Sequence, residues 1–454
     1  MSASGGPPKS GPIPSLSCDG KAPLDEALQG MDGVRASWFN DPSGNERLYV
    51  LEAGPRQPND APPLVLIHGV GSIGTADYYP VLAALSRERH VLAVDLPGFG
   101  RSNPEDEDYG PERLARSVDT VVRTCAPGKI DVLGHSSGGA LAVLFAAQRA
   151  DVVRRLILVD VAGILRPEVL LHGQLHQVLT TTRAKAPSFA KGVEAIGGAM
   201  VDALQALVPS AKKVGQSGLL GKSPGVLAAT ALLDYNFGAA IEAVRAPTLI
   251  LWGAQDHVVP TRIAELLDDR IAHSQLTYIP DAGHVPMKDQ AGSMALLVNE
   301  YLSGPTPPPD APVRPPPAKV TRDGTCAQKD DVTLEGDYDE ISISECERFR
   351  LHKVRARRVS IRKSQGRLDE VLISEGLTVD EADLFLTGGA VHGVVALDSS
   401  DSKLDIAGVD ITGSEAAVRM RKQNEIVFSV TPVQSPKTSG ILHKELKVDA
   451  AKEL

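Results

Sequence analysis

Between Gly304 and Lys319 the chain reads GPTPPPDAPVRPPPAK, a run too rich in proline for the interior of a helix or a strand. Such a run forms a stiff, extended connector, and here it divides two parts of different periodicity. Before it, short apolar runs alternate with amphipathic stretches, the pattern of a doubly wound, mostly parallel sheet flanked by helices. After it, apolar residues recur at every second position, as in Ile341 and Ile343, Val359 and Ile361, or Leu404 and Ile406, which predicts an all-β unit.

At roughly 150 residues per domain, the 454 residues hold two or three domains. The expected divisions are a disordered N-terminal tail over 1–32, an α/β domain over 33–303, the linker over 304–320, the all-β unit over 321–434 and a C-terminal tail over 435–454. In the α/β domain, strands are expected at Leu64–His68, His90–Asp95, Ile130–Leu133, Arg155–Asp160, Thr248–Trp252 and Leu276–Ile279, preceded by a hairpin turning at Asp41–Gly44. From about 165 to 244 the rhythm stops and Leu, Ala, Gly and Ser dominate, which reads as a helical lid inserted in the sheet. The near-regular spacing of DEISISEC, ERFRLHKV and RRVSIRKS predicts that the second unit is a short parallel β-solenoid, with a β-sandwich as the alternative.

Bulk properties exclude several functions. A net charge of −10 lacks the positive field that nucleic acid requires, so no nucleic-acid partner is expected. The basic run Arg348–Lys363 is read as a solvated β face, with a protein or glycan contact as the alternative. The four cysteines form no CxxC pair and predict no zinc site; Cys125 reads as a small core residue, and Cys326 and Cys346 as a pair if the protein is exported. No apolar run is long enough to span a membrane, and the first twenty residues lack the apolar core of a signal peptide. The expected location is the cytoplasm, or outside it if a leader has been removed.

The chemistry centres on KIDVLGHSSGGALAVLFAA, where an apolar strand ends at Gly134-His135-Ser136-Ser137-Gly138 and turns at once into an apolar helix. This G-x-S-x-G form is the nucleophile elbow, in which glycines keep side chains away from an exposed serine on a strained turn. A hydroxyl alone is a weak nucleophile and needs a base and an orienting acid. Asp256 follows the strand ending at Trp252, and His284 lies in the loop after the strand ending at Ile279. Loops leaving the carboxyl ends of parallel strands converge on one edge, so Ser136, Asp256 and His284 can meet as nucleophile, acid and base. Oxyanion donors are expected from the N–H groups of Ser137 and Val70, the latter between Gly69 and Gly71. Asp160 is a rival acid at another strand end. His135 is expected to pack, His257 to lack a partner, His68 to order the oxyanion loop, and Asp281 to hydrogen-bond the backbone near His284.

The motifs LVLIHGVGSIG, HVLAVDLPGFGRS, DVLGHSSGGALA, TLILWGAQDHVVP and DAGHVPM, in this order, make the region from about Val34 to Tyr301 resemble the α/β-hydrolase superfamily. The resemblance implies an eight-stranded, mostly parallel sheet, a helical cap after the sixth strand, and neither metal nor organic cofactor. It also implies that serine at the elbow performs acyl transfer, pointing to an ester or related acyl bond in a small-molecule substrate. Carbon–carbon bond hydrolases and cofactor-free perhydrolases share the same triad and stay open, as does a non-catalytic scaffold. The aliphatic lid implies a small to medium apolar acyl group.

Overall fold

The computed structural model describes residues 21–40, 47–56, 61–70, 73–102, 108–166, 224–305, 324–327, 332–346 and 348–454. The expected hairpin turn, the first twenty residues, most of the expected lid and nearly all of the linker lie outside the described residues.

Strands β1 (Arg35–Asn40), β2 (Arg47–Ala53), β3 (Leu64–Ile67), β4 (Val91–Val94), β5 (Ile130–His135), β6 (Val153–Val159), β7 (Thr248–Gly253) and β8 (Ser274–Ile279) form one sheet in the order β1-β2-β4-β3-β5-β6-β7-β8. The first two pairings, β1 with β2 and β2 with β4, are antiparallel, and the rest are parallel. Every residue of β3, β4, β5 and β7 is buried, because helices cover both faces and leave no side for polar residues. The helices are α1 (Tyr79–Leu85), α2 (Pro111–Cys125), α3 (Ser137–Gln148), α4 (Pro224–Asp234), α5 (Gly238–Ala243), α6 (Arg262–Arg270), α7 (Pro286–Asp289) and α8 (Ala291–Ser303). Two apolar cores result, one on each face of the sheet.

Part of the expected N-terminal tail is ordered against this domain. Leu28 is fully buried, and the Pro23 carbonyl accepts hydrogen bonds from Tyr49 and Arg101. One buried leucine in a polar, proline-containing stretch gives no periodic signal, which is why the sequence alone reads as a tail.

The second unit is all-β: β9 (Gly324–Ala327), β10 (Val332–Ser344), β11 (Phe349–Arg362), β12 (Gln365–Ile373), β13 (Leu377–Asp380), β14 (Asp383–Ala407), β15 (Asp410–Gln434), β16 (Ser439–Val448) and β17 (Lys452–Glu453). Pairing is parallel from β9 to β15, with Ile343 opposite Ile361 and Leu368 opposite Leu386, so like side chains stack into one apolar core. Strand β11 pairs with β12 along its first part and with β13 along its last four residues, and β14 pairs with both, so these four strands close a parallel ring. The expected C-terminal tail is corrected here: β16 pairs antiparallel with β15 from Asn424 to Gln434 and caps the sheet. Its outward residues are polar and its inward ones only half-buried, so the stretch alternates weakly in sequence.

Four arginines of the basic run pair with carboxylates of the same unit. Arg350 pairs with Asp369, Arg355 with Asp337, and Arg357 and Arg358 with Glu340 and Glu375, acids on the neighbouring strands and, for Glu375, in the turn between β12 and β13. Cys125 and Cys346 are each disulfide-bonded. Cys125 packs half-buried against the core, as expected, and is cross-linked as well. Among the described residues no helix is long and apolar enough to cross a membrane.

Candidate active site

Ser136 occupies the junction of β5 and α3 with φ 54° and ψ −127°, a conformation that a residue with a Cβ adopts only under constraint. The constraint is visible in the glycines around it. A Cβ on Gly134 would overlap the Gly138 carbonyl, and one on Gly138 would overlap the carbonyls of Ile67 and His68. A Cβ on Gly69 would stand 3.0 Å from that of Ser136. The G-x-S-x-G spacing thus follows from backbone packing, with strand, helix and the loop after β3 all pressed against one serine.

Three residues distant in sequence meet at this edge. His284 Nε2 lies 3.1 Å from Ser136 Oγ, and His284 Nδ1 lies 2.8 Å from Asp256 Oδ2. Ser136 and Asp256 are each 4 % exposed. The other Asp256 oxygen, Oδ1, accepts the N–H groups of Val258 at 2.8 Å and Val259 at 3.0 Å. Burial pushes the Asp256 carboxyl up, but the adjacent His284 and the two N–H donors outweigh it and hold the group below its usual value. Asp256 is thereby kept as a carboxylate facing an imidazole N–H, which fixes the tautomer and leaves Nε2 free to take a proton.

Asp160, the rival acid, sits directly beside this arrangement but does not bond His284. It is fully buried with φ 44°, and its Oδ1 accepts the Gly253 N–H at 2.8 Å. Burial first, then the neighbouring Asp256 charge, raises its carboxyl well above the usual range. Burial and the adjacent Asp256 charge both disfavour ionisation of Asp160, whereas His284 and two N–H donors favour it at Asp256. Asp160, Asp256 and His284 offer ligand atoms within 4.8 Å of one another; Asp256 Oδ2 and His284 Nδ1 bond each other and Asp160 Oδ1 accepts the Gly253 N–H, whereas Asp160 Oδ2 is buried without a hydrogen-bond partner.

The other expected neighbours fall as follows. Ser137 begins α3, where a first-turn N–H has no intrahelical acceptor. Val70 follows Gly69 at the Ser136 wall; Gly71 lies outside the described residues. His68 is buried, and its Nδ1–H donates to the Gly69 carbonyl at 2.6 Å while Nε2 accepts the Leu96 N–H at 2.9 Å, so it does order that loop. His257 is exposed. Asp281 adopts φ 56° and accepts from the Gln255 side chain, but Asp289 rather than Asp281 accepts the Gly283 N–H next to His284, at 2.9 Å. Asp289 comes back from α7, a contact that spacing within the loop does not reveal.

One participant exceeds its sequence expectation. His135 Nε2–H donates to the main-chain carbonyl of His284 at 2.7 Å, and the two rings lie 5.2 Å apart. Burial and the neighbouring His284 lower His135 to about 4, so it is a neutral donor. The signal available in the sequence was its place beside Ser136, which puts any side chain there at the same rim.

Known proteins are similar to the stretch that holds this site. A 2-hydroxy-6-oxo-6-(2'-aminophenyl)hexa-2,4-dienoic acid hydrolase of Metapseudomonas resinovorans is 27 % identical over 284 residues, covering 58 % of this chain and 90 % of that protein. Lipase 3 of Moraxella sp. is 27 % identical over 260 residues, covering 53 % of this chain and 76 % of that protein. The solved structure of a thermophilic esterase from Thermogutta terrifontis is 24 % identical and covers 59 % of this chain and 98 % of that one, with a TM-score of 0.44. The family model for the alpha/beta hydrolase family matches residues 64–295, just over half of the 454 and the whole stretch that supplies Ser136, Asp256 and His284. The chain therefore belongs to the alpha/beta hydrolase family.

Proposed function

We propose that this protein is a serine hydrolase that cleaves an ester or related acyl bond through an acyl-enzyme on Ser136. The observation that carries the reading is the continuous contact from Ser136 Oγ through His284 to Asp256, at 3.1 and 2.8 Å, on a serine held in strained geometry. His284 Nε2 removes the Ser136 proton as Oγ attacks the carbonyl carbon. The resulting oxyanion is held by the N–H groups of Ser137 and Val70, and Asp256 stabilises the imidazolium. The imidazolium returns the proton to the departing alcohol as the C–O bond breaks, and a water activated by the same base then releases the acid.

A second reading keeps the same residues and changes the bond. One relative is named as a hydrolase of a dienoic acid, which favours carbon–carbon cleavage, whereas another is named a lipase. Side-by-side assay of p-nitrophenyl esters of rising acyl length and a meta-cleavage dienone separates them: turnover of the short aliphatic esters supports acyl hydrolysis. A fluorophosphonate that labels the native protein but not Ser136→Ala supports Ser136 as the nucleophile, and absence of labelling in both supports a non-catalytic scaffold.

The stretch from about 165 to 244 is read as the lid over an apolar acyl pocket, on its Leu- and Ala-rich composition. The β unit is read as a short solenoid, supported by in-register parallel pairing of Phe349 with Gly366 and of Gly366 with Leu384. An oxidising compartment is favoured over the cytoplasm by the disulfide-bonded Cys125 and Cys346.

A further inference from the structure

Helix α6 is contacted on two opposite sides, with Arg262, Ile263, Ala264, Leu266 and Leu267 buried. In a sheet flanked by helices one side of such a helix packs on the strands, here through Ile263, Ala264 and Leu267, and the opposite side is ordinarily wet. Here that opposite side carries Arg262, Glu265, Leu266, Asp269 and Arg270, at helical spacing, and all five meet the β unit. Arg262 makes two hydrogen bonds to Asp405 of β14, Nη1 to Oδ2 and Nη2 to Oδ1, both at 3.2 Å, with the two side chains 3 % and 2 % exposed. Glu265 faces Arg350 at 4.0 Å, Asp269 accepts the Gly389 N–H at 3.3 Å, and Arg270 pairs with Asp410 at 2.8 Å. Leu266 is fully buried against Gly408, where a Cβ would stand 3.0 Å from its Cγ. Ala407, Val427 and Val430 of the β unit are part of the hydrolase core itself.

The position of Arg262 gives this interface a consequence for catalysis. It is the first residue of α6, and the segment from Asp256 to Thr261 that precedes it carries the acid. That segment is held at its start by β7 and by the two N–H bonds of Val258 and Val259 to Asp256, and at its end by Arg262. We infer that Asp405, in the β unit, is a positioning residue for the active site: its two-point ion pair with Arg262 fixes the loop that presents Asp256 to His284. The inference rests on the reading of Asp256 as the catalytic acid.

The test uses the full chain and two readouts. Asp405→Asn keeps the shape but offers the guanidinium one acceptor in place of two and no countercharge. Hydrogen–deuterium exchange at Val258 and Val259 is expected to rise at least about tenfold while the amides of β5 and β6 keep their native rates. On an ester substrate kcat is expected to fall about tenfold with KM within about twofold, as a displaced acid affects the chemical step rather than binding. Exchange at the native rate in a folded variant, exchange raised uniformly through the sheet, or local exchange raised with kcat unchanged each overturns the inference. If Asp405→Asn does not fold, Arg262→Lys keeps the charge and loses the two-point geometry, and the same readouts decide with about threefold changes expected. A native protein with no hydrolytic activity, in which Asp405→Asn still loosens Val258 and Val259, overturns the proposed function while leaving the mechanical link intact.

Discussion

The imidazole of His135 donates to the backbone carbonyl of His284 at 2.7 Å, so the residue before the nucleophile holds the main chain of its base. The elbow is thereby tied to the base loop at a second point besides the Ser136–His284 contact.

Replacing His135 by Phe keeps a flat ring and removes the donor. Steady-state kinetics are expected to show kcat lowered about tenfold with KM changed less than about twofold, since a hydrogen bond that only orients the base acts on the chemical step. A kcat equal to that of the native protein would show that packing alone orients His284.

The two buried aspartates should separate sharply. Asp256→Asn loses the charge opposite the imidazole and leaves an amide able to enforce the wrong tautomer, so kcat is expected to drop about 10³- to 10⁴-fold, as in comparable triads. Asp160→Asn removes a carboxyl whose ionisation burial already disfavours and keeps an oxygen that can accept the Gly253 N–H, so activity is expected within about tenfold of native. If the larger loss fell on Asp160→Asn, the assignment of the acid would have to be exchanged.

Acid stability should fall in two stages, each with its own residue. His135 titrates near 4 in the folded chain against an ordinary 6.5, so the unfolded state takes up the proton first and stability declines as pH drops from about 6.5 to 4. Burial alone would raise Glu52, but hydrogen bonds from His90, Arg56 and Arg35 hold it at about 2 against 4.5. Its contribution is complete above 4.5 and is lost as pH falls toward 2. Urea midpoints measured across this range should flatten in the upper window for His135→Phe and in the lower one for Glu52→Gln.

Alkylation of the denatured protein without reductant, followed by peptide mass analysis, should leave Cys125 and Cys346 unmodified, and both should react once a reductant is added. Modification of either before reduction would contradict the cross-links.

What the sequence makes legible here is whatever rests on local sterics. The strands between β3 and β8 are short apolar runs with nothing else to be, and the glycines around Ser136 announce a backbone crossing that admits no Cβ. Which acid serves His284 is a different matter, because Asp160 and Asp256 both leave strand ends and only the three-dimensional approach of Nδ1 distinguishes them. Asp289 and His135 act through main-chain groups across loops, and main-chain acceptors have no signature in a string of side chains. The pairing of Arg262 with Asp405 joins residues 143 apart on opposite sides of a proline-rich break, and either one alone reads as a surface charge. The strand at Ser439–Val448 is missed for a related reason: it lies at the margin of its sheet, where half-buried positions blur the period.

The doubly covered helix α6 also bears on how the chain comes apart. A hydrolase half cut at the linker would present Leu266 and the unpaired guanidinium of Arg262 to water, and the β half would present Asp405 together with Ala407, Val427 and Val430. Each half keeps an apolar core of its own, but separating them uncovers this shared surface, so calorimetry of the whole polypeptide is expected to record one cooperative melting event.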